Sequence, residues 1–262
     1  MAKRNIYLSL FIYNALEIIY AYPLSILIQI FKRILETYFL VLFWSLVASS
    51  GTTDFKSIIS YFLIAGGITE ITLSSRIPLG VQIRRAINVG ELTNYLIKPI
   101  NVVFSYIAMI YGSKTILLIF SFLNIVLGVI INPKLQILSI IWFIPSLMLA
   151  TCISISLNLF FATICLHIRS VGGFNQLYGQ IIKILAGGMI PIYLFAEPIK
   201  NILQILPFSY AIYFPIQILT ETLSFEKIRN GFLISIFWSF LLIYLSFKYW
   251  NYSLKKYESY GI

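Results

Sequence analysis

The sequence predicts an all-α membrane protein: six transmembrane helices, an N-terminal amphipathic interfacial helix, a helix on the cytosolic face and an extracellular re-entrant helical hairpin. Three observations predict it. The 262 residues are 60% hydrophobic and 11% charged, with a mean hydropathy of +0.91; a soluble domain carries about 45–50% apolar and about 25% charged residues. The apolar residues gather in blocks long enough to cross a bilayer core, which takes about 20 residues of helix. The net charge of +10 divides unevenly between the two faces that those blocks define.

The spans read as 30–49, 57–76, 102–131, 136–165, 175–196 and 230–249 of a single membrane domain, 1–262. Before them, Lys3-Arg4 precede a stretch in which Asn14 and Glu17 interrupt Ile, Leu and Tyr up to Pro23. No small-residue cleavage site follows, and a helix lying in the cytosolic interface fits better. Six spans put both termini on one side. That side receives Lys3, Arg4, Lys32, Arg33, Arg76, Arg84, Arg85, Lys98, Arg169, Lys248, Lys255 and Lys256 against four acids, a net charge of +8. The other face nets +1, and Glu70, Lys114 and Lys183 leave +1 within the spans. Both termini are therefore expected in the cytosol.

Three segments depart from plain spans. The inside connection 77–101, IPLGVQIRRAINVGELTNYLIKPIN, carries apolar residues at mixed helical spacing, broken by Gly90. It reads either as a helix resting on lipid through Arg84 and Arg85 or as a docking element for a soluble partner. The outer segment 191–219 holds Pro191, Pro198, Pro207 and Pro215. Such density forbids a continuous lipid-facing helix and suggests half-helices at 198–206 and 208–219, or else an irregular cap. The spans 102–131 and 136–165 would each be about 45 Å long against a core of about 30 Å, so they tilt or project. That geometry puts Glu70, Lys114 and Lys183 in the cytosolic half. Glu70 and Lys114 form a candidate pair between neighbouring helices.

Chemistry is sparse. Cys152 and Cys165 fall on opposite sides of one helix, which excludes a shared disulfide or metal. The lone His167, beside Arg169, reads as an interfacial residue. No phosphate loop, dinucleotide fingerprint or hydrolase motif occurs, so no catalytic, cofactor or metal residues are assigned. Nucleic acid is excluded as a partner. Asn124, Thr151, Ser154, Ser156 and Asn158 suit hydrogen bonds between helices better than a hydrophilic path. The cargo is therefore expected to be apolar or amphipathic, such as a lipid, drug or peptide, with its binding residues unassigned.

In order along the chain, these features resemble the type-2 ABC export permeases, the membrane subunits of bacterial ABC transporters. The resemblance rests on Ile83-Arg84-Arg85-Ala86-Ile87-Asn88-Val89-Gly90-Glu91-Leu92, on Ile97-Lys98-Pro99, on Pro207-Phe208 to Pro215, and on Lys256 to Gly261. It implies a multi-pass protein of the bacterial inner membrane that pairs with a second permease chain, identical or related. Separate cytosolic ATPase subunits would hold ATP and Mg, and this chain would hold no cofactor. Residues 82–98 would then be a coupling helix, with Arg84, Arg85, Gly90, Glu91, Leu92 and Lys98 as its ATPase contacts. A stand-alone scramblase, a membrane enzyme or an immunity-type binding protein is the alternative.

Overall fold

The computed structural model describes residues 2–48, 54–72, 79–97, 100–132, 136–167 and 172–258. Among them there is no strand. The chain begins with α1 (Ala2–Ala21) and α2 (Pro23–Ala48), separated at Tyr22. Proline has no N–H to contribute and its φ suits a first helical turn, so Pro23 opens α2 at no loss. Helix α3 (Phe55–Thr72) follows, then the short pair α4 (Leu79–Val89) and α5 (Glu91–Ile97).

The expected span 102–131 is two helices, α6 (Val102–Ser113) and α7 (Thr115–Ile131), broken at Lys114. Asn101 caps α6, its Oδ1 accepting from the N–H groups of Val103 and Phe104. Lys114 leaves helical geometry at φ −107°, ψ 14°. The physical reason is that its side chain is committed elsewhere, to the end of α3. By contrast α8 (Ile137–His167) runs unbroken through Pro145. Helix α13 (Phe225–Glu258) is likewise continuous over 34 residues. Of the described helices, α8 and α13 are long and apolar enough to cross a membrane as they stand; α7 is a shorter apolar helix.

Within the expected span 175–196 the helix is interrupted. Helix α9 (Gly172–Leu185) stops halfway. Gly187 adopts φ +81°, its N–H donates to the Ile184 carbonyl, and the Gly188 N–H donates to the Lys183 carbonyl at 2.8 Å. This is a Schellman ending, which needs a residue tolerant of positive φ. Ala186-Gly187-Gly188 was a readable stop signal inside an apolar run. Beyond it come a 3-10 turn at Ile192–Leu194, then α10 (Glu197–Ile205), α11 (Pro207–Ala211) and α12 (Tyr213–Thr220). Prolines sit at the starts of α10 and α11, where a missing N–H is harmless.

Non-helical backbone in a bilayer must be satisfied by protein, and here long-range side chains do it. The carbonyl of Gly187 accepts from the Tyr61 hydroxyl at 2.7 Å, and that of Met189 from the Trp44 indole at 3.0 Å. Ile205 takes the Trp238 indole at 2.9 Å, and Leu219 the Asn132 amide at 2.6 Å. The hydroxyls of Tyr210 and Ser209 donate to Gln204 and Leu203. The 207–219 segment is packed against α3 and α8, with Ala211, Ile212 and Ile216 wholly buried.

Two helix pairs form the framework. Helix α3 packs most closely on α7, where glycines let the backbones approach. A Cβ on Gly67 would lie 2.6 Å from the Ser121 carbonyl oxygen, and one on Gly128 would lie 3.0 Å from that of Ser60. Ser60 Oγ donates to the Gly128 carbonyl at 2.7 Å. Such small-residue contacts replace the hydrophobic drive that lipid removes. Helix α13 packs along α8 and buries Ser235, Ser239, Ser246 and Ser253, a stripe spaced by four, seven and seven residues. His167 at the end of α8 lies 3.3 Å from the Ser253 hydroxyl, tying the two helices together.

Three of the α8 residues expected to bond between helices bond within their own helix instead. Thr151, Ser156 and Asn158 donate to the carbonyls of Met148, Cys152 and Ser154 in their own helix. Within a helix, the nearest acceptor for a short side chain is the carbonyl three or four residues back.

Candidate functional site

The α4–α5 pair is built around one residue that has to be glycine. Gly90 has φ +77°, a left-handed conformation costing other residues about 1–2 kcal/mol. An added Cβ there would touch nothing within 4 Å, so the requirement is conformational and not steric. Its N–H donates to the Ile87 carbonyl at 3.1 Å, closing the turn. Glu91 then opens α5, where a carboxylate favours the positive helix end.

One side of this pair is anchored. Leu79, Ile83, Ala86 and Leu92 are buried in a cluster with Val103, Tyr106, Leu159, Ala162 and Trp250. Gly80 lets α4 approach α8, since a Cβ would lie 2.7 Å from Cys165 Sγ. The other side is free: Arg85, Asn88, Val89, Gly90 and Glu91 are exposed. Arg84 is half-buried, with its Nε shielded and unpartnered. Among the expected docking residues, then, Arg85, Gly90 and Glu91 share one exposed turn, while Leu92 points into the core as an anchor. Lys98 lies outside the described residues. Tyr95 packs beside Tyr106 with ring centroids 5.4 Å apart, and burial and the Glu91 carboxylate push its hydroxyl pKa above the usual value.

A second constellation lies within the bundle. Glu70 is 4% exposed and Lys114 is 1% exposed. They meet through the main chain: Lys114 Nζ donates to the carbonyl oxygens of Glu70 at 3.0 Å and Ile71 at 3.1 Å. Those carbonyls belong to the last turn of α3, which has no helical donors left. An ammonium there satisfies them and complements the negative helix end. The Tyr111 hydroxyl adds a donor to Ile71 at 3.2 Å, and its ring lies 4.3 Å from Lys114 Nζ.

The Glu70 carboxylate meets Arg33, with Arg33 Nη2 2.5 Å from its oxygen. Arg33 Nη1 also lies 2.8 Å from Glu36, and Lys183 Nζ lies 2.8 Å from the other Glu36 oxygen. Five charges thus join α2, α3, the α6–α7 break and α9. Arg33, Glu36 and Lys183 were not foreseen as members. The one local signal was the Arg33–Glu36 spacing of three residues, which places both on one helix face.

A cavity of about 460 Å³ opens between the 197–220 helices and the start of α13, lined by Tyr193, Gln204, Tyr210, Tyr213, Gln217 and Asn230 among others. Gly231 makes room for Phe214 against α13, for a Cβ would lie 2.1 Å from its ring.

The family model described as ABC-2 family transporter protein matches residues 34–261, which takes in every feature above except α1 and the start of α2. No curated protein matches the chain. The family comprises membrane subunits of ABC transporters, and membership implies association with ABC ATPase subunits. An all-helical bundle with two full-length apolar helices and an anchored helix pair at its end agrees with that assignment. The chain belongs to the ABC-2 family of transporter proteins, as a multi-pass permease subunit of an ABC transporter.

Proposed function

We propose that this permease forms half of the pore of an ATP-driven exporter in a bacterial inner membrane, working with a second permease chain, identical or related. Its six spans are α2, α3, α6 with α7, α8, α9 with the irregular segment after it, and α13. Both termini are cytosolic, α1 lies along the inner interface, and the 197–220 helices cap the outer exit. The positive charge gathered at one face supports this orientation.

The α4–α5 turn carries the reading. Its exposed edge offers Arg85, Gly90 and Glu91 to a soluble partner, while Ile83, Ala86 and Leu92 lock the pair onto α6 and α8. A push on that turn is transmitted to the spans because the anchoring side is packed without slack. Arg84 flanks the same surface. ATP-driven closure of the ATPase pair must favour one permease state over the other, and this turn is where it would act.

The cargo is apolar or amphipathic. In support, the Thr151 and Ser156 hydroxyls and the Asn158 amide of α8 donate to carbonyls of their own helix. The test is purification of the tagged chain from its native membrane. A co-purifying soluble chain with a phosphate loop is expected, together with a permease copy or relative. Absence of any ATPase partner would overturn the reading in favour of a protein acting alone.

A further inference from the structure

A cleft of about 390 Å³ lies between α1, the α4–α5 pair and α6, and its lining includes Arg85 and Glu91, which also edge the proposed docking turn, together with Glu17 of α1. Glu17 of α1, Arg85 of α4 and Glu91 of α5 all line it. Among the described residues these three make no ion pair and no hydrogen bond with one another or with any neighbour. All three side chains are exposed, so they are open to a ligand. The remaining lining mixes polar and aromatic residues, among them Tyr95, Tyr106 and Ser113, with the apolar Ile18, Ala86 and Met109. The volume falls within the range of about 300–1,000 Å³ typical of small-molecule sites.

The charges dictate what fits. Two carboxylates face one guanidinium, a net charge of −1. A simple anion would satisfy Arg85 but be repelled by Glu17 and Glu91. A simple cation would leave Arg85 unsatisfied. A ligand carrying one phosphate and one ammonium matches both: the planar guanidinium takes phosphate in a forked geometry, and an ammonium supplies N–H donors for the carboxylates. A quaternary ammonium has no N–H to donate to the carboxylates, and the phosphatidylcholine arm of the test below measures whether Tyr22, Tyr95 and Tyr106 hold it as an aromatic cage instead.

The source of that headgroup follows from α1. While Glu17 and Ile18 line the cleft, Leu8, Tyr13, Leu16 and Tyr20 of the same helix are exposed. Acyl chains attached to a headgroup in the cleft can lie along that apolar side. We propose that this cleft binds the headgroup of a zwitterionic phospholipid with a primary ammonium, phosphate on Arg85 and ammonium between Glu17 and Glu91. Bound there, the lipid ties the N-terminal helix to the α4–α5 turn. The placement of the cleft at the inner headgroup level rests on the topology proposed above.

The test uses the full chain without an ATPase, so that it can fail while the coupling reading stands. The purified protein is reconstituted with phosphatidylethanolamine, phosphatidylcholine and phosphatidylglycerol in equal amounts, and retained lipid is measured by native mass spectrometry. Phosphatidylethanolamine is expected to be enriched about tenfold over the other two, the scale of one charge-assisted hydrogen bond. Glu17→Gln and Glu91→Gln should each bring the enrichment close to unity, and Glu17→Asp should retain part of it. Each variant's melting temperature is measured alongside, and two variants on different helices guard against a folding defect in one. Equal retention of all three lipids, or undiminished enrichment in both glutamine variants, would overturn the proposal. Soluble phosphoethanolamine competing as well as the lipid would overturn the lipid as its source.

Discussion

Replacing Lys114 by methionine keeps nearly the same shape and removes one charge from the buried cluster. With Lys114 present, Arg33, Lys114 and Lys183 face Glu36 and Glu70. Without it, Arg33 still lies 2.5 Å from Glu70 and Lys183 still lies 2.8 Å from Glu36. Neither carboxylate loses its cation, so the penalty of about 3–5 kcal/mol for an uncompensated buried charge does not arise. Among the described residues, two hydrogen bonds to the end of α3 and the contact with the Tyr111 ring are lost, and Ile71 keeps its donor from Tyr111. A buried acceptor stripped of its donor costs about 1–3 kcal/mol, while hydrogen bonds between membrane helices average about 0.6 kcal/mol. Lys114→Met should therefore cost about 1–2 kcal/mol, lowering the melting temperature by about 2–8 °C. Glu70→Gln leaves three cations facing Glu36 alone and should cost about 3–5 kcal/mol. The exchange Glu70→Lys with Lys114→Glu should not rescue it, because it sets an ammonium against Arg33 and a carboxylate against two carbonyls. Thermal melting in nanodiscs, followed by tryptophan fluorescence, reads all three variants. If Lys114→Met falls as far as Glu70→Gln, or if the exchange restores wild-type melting, this account of the cluster is wrong.

Gly67→Ala would bring a methyl group to 2.6 Å from the Ser121 carbonyl oxygen. Overpacking of this kind costs about 1–3 kcal/mol, and the same melting assay should register it. Gly90→Pro imposes φ near −65° where the chain needs +77°. It should abolish stimulation of the partner ATPase while the spans stay folded, as judged by circular dichroism; charge reversal at Arg84 and Arg85 should weaken the same stimulation. Trp44→Phe keeps one aromatic ring but removes the pyrrole ring with its donor to Met189, and should lower stability by at least about 0.6–1.7 kcal/mol, the range for membrane hydrogen bonds.

Much of this protein was legible because membranes enforce a simple code. A helix is the economical way to carry backbone through lipid, so apolar runs mark helices wherever a bilayer is crossed. Pro23 at the start of α2, Gly90 between α4 and α5, and the prolines opening α10 and α11 were readable for a related reason. Each acts on its own φ or N–H, within a residue or two of where it stands. Gly187-Gly188 and the α13 serines obey equally local rules.

The tertiary structure decided what depends on distant partners. A lysine in an apolar run reveals that a charge must be compensated, but not by what. Lys114 finds its carbonyl acceptors 43 and 44 residues away, and Lys183 finds Glu36 across 147 residues. That commitment turns one long span into α6 and α7. The broken backbone after α9 is likewise completed by Tyr61, Trp44 and Asn132 from helices far away in sequence. Buried polar groups in lipid must be satisfied, and their need is local while its satisfaction is not. The sequence therefore determined where the backbone and its charges required partners, and the packing of the bundle determined which residues met the requirement.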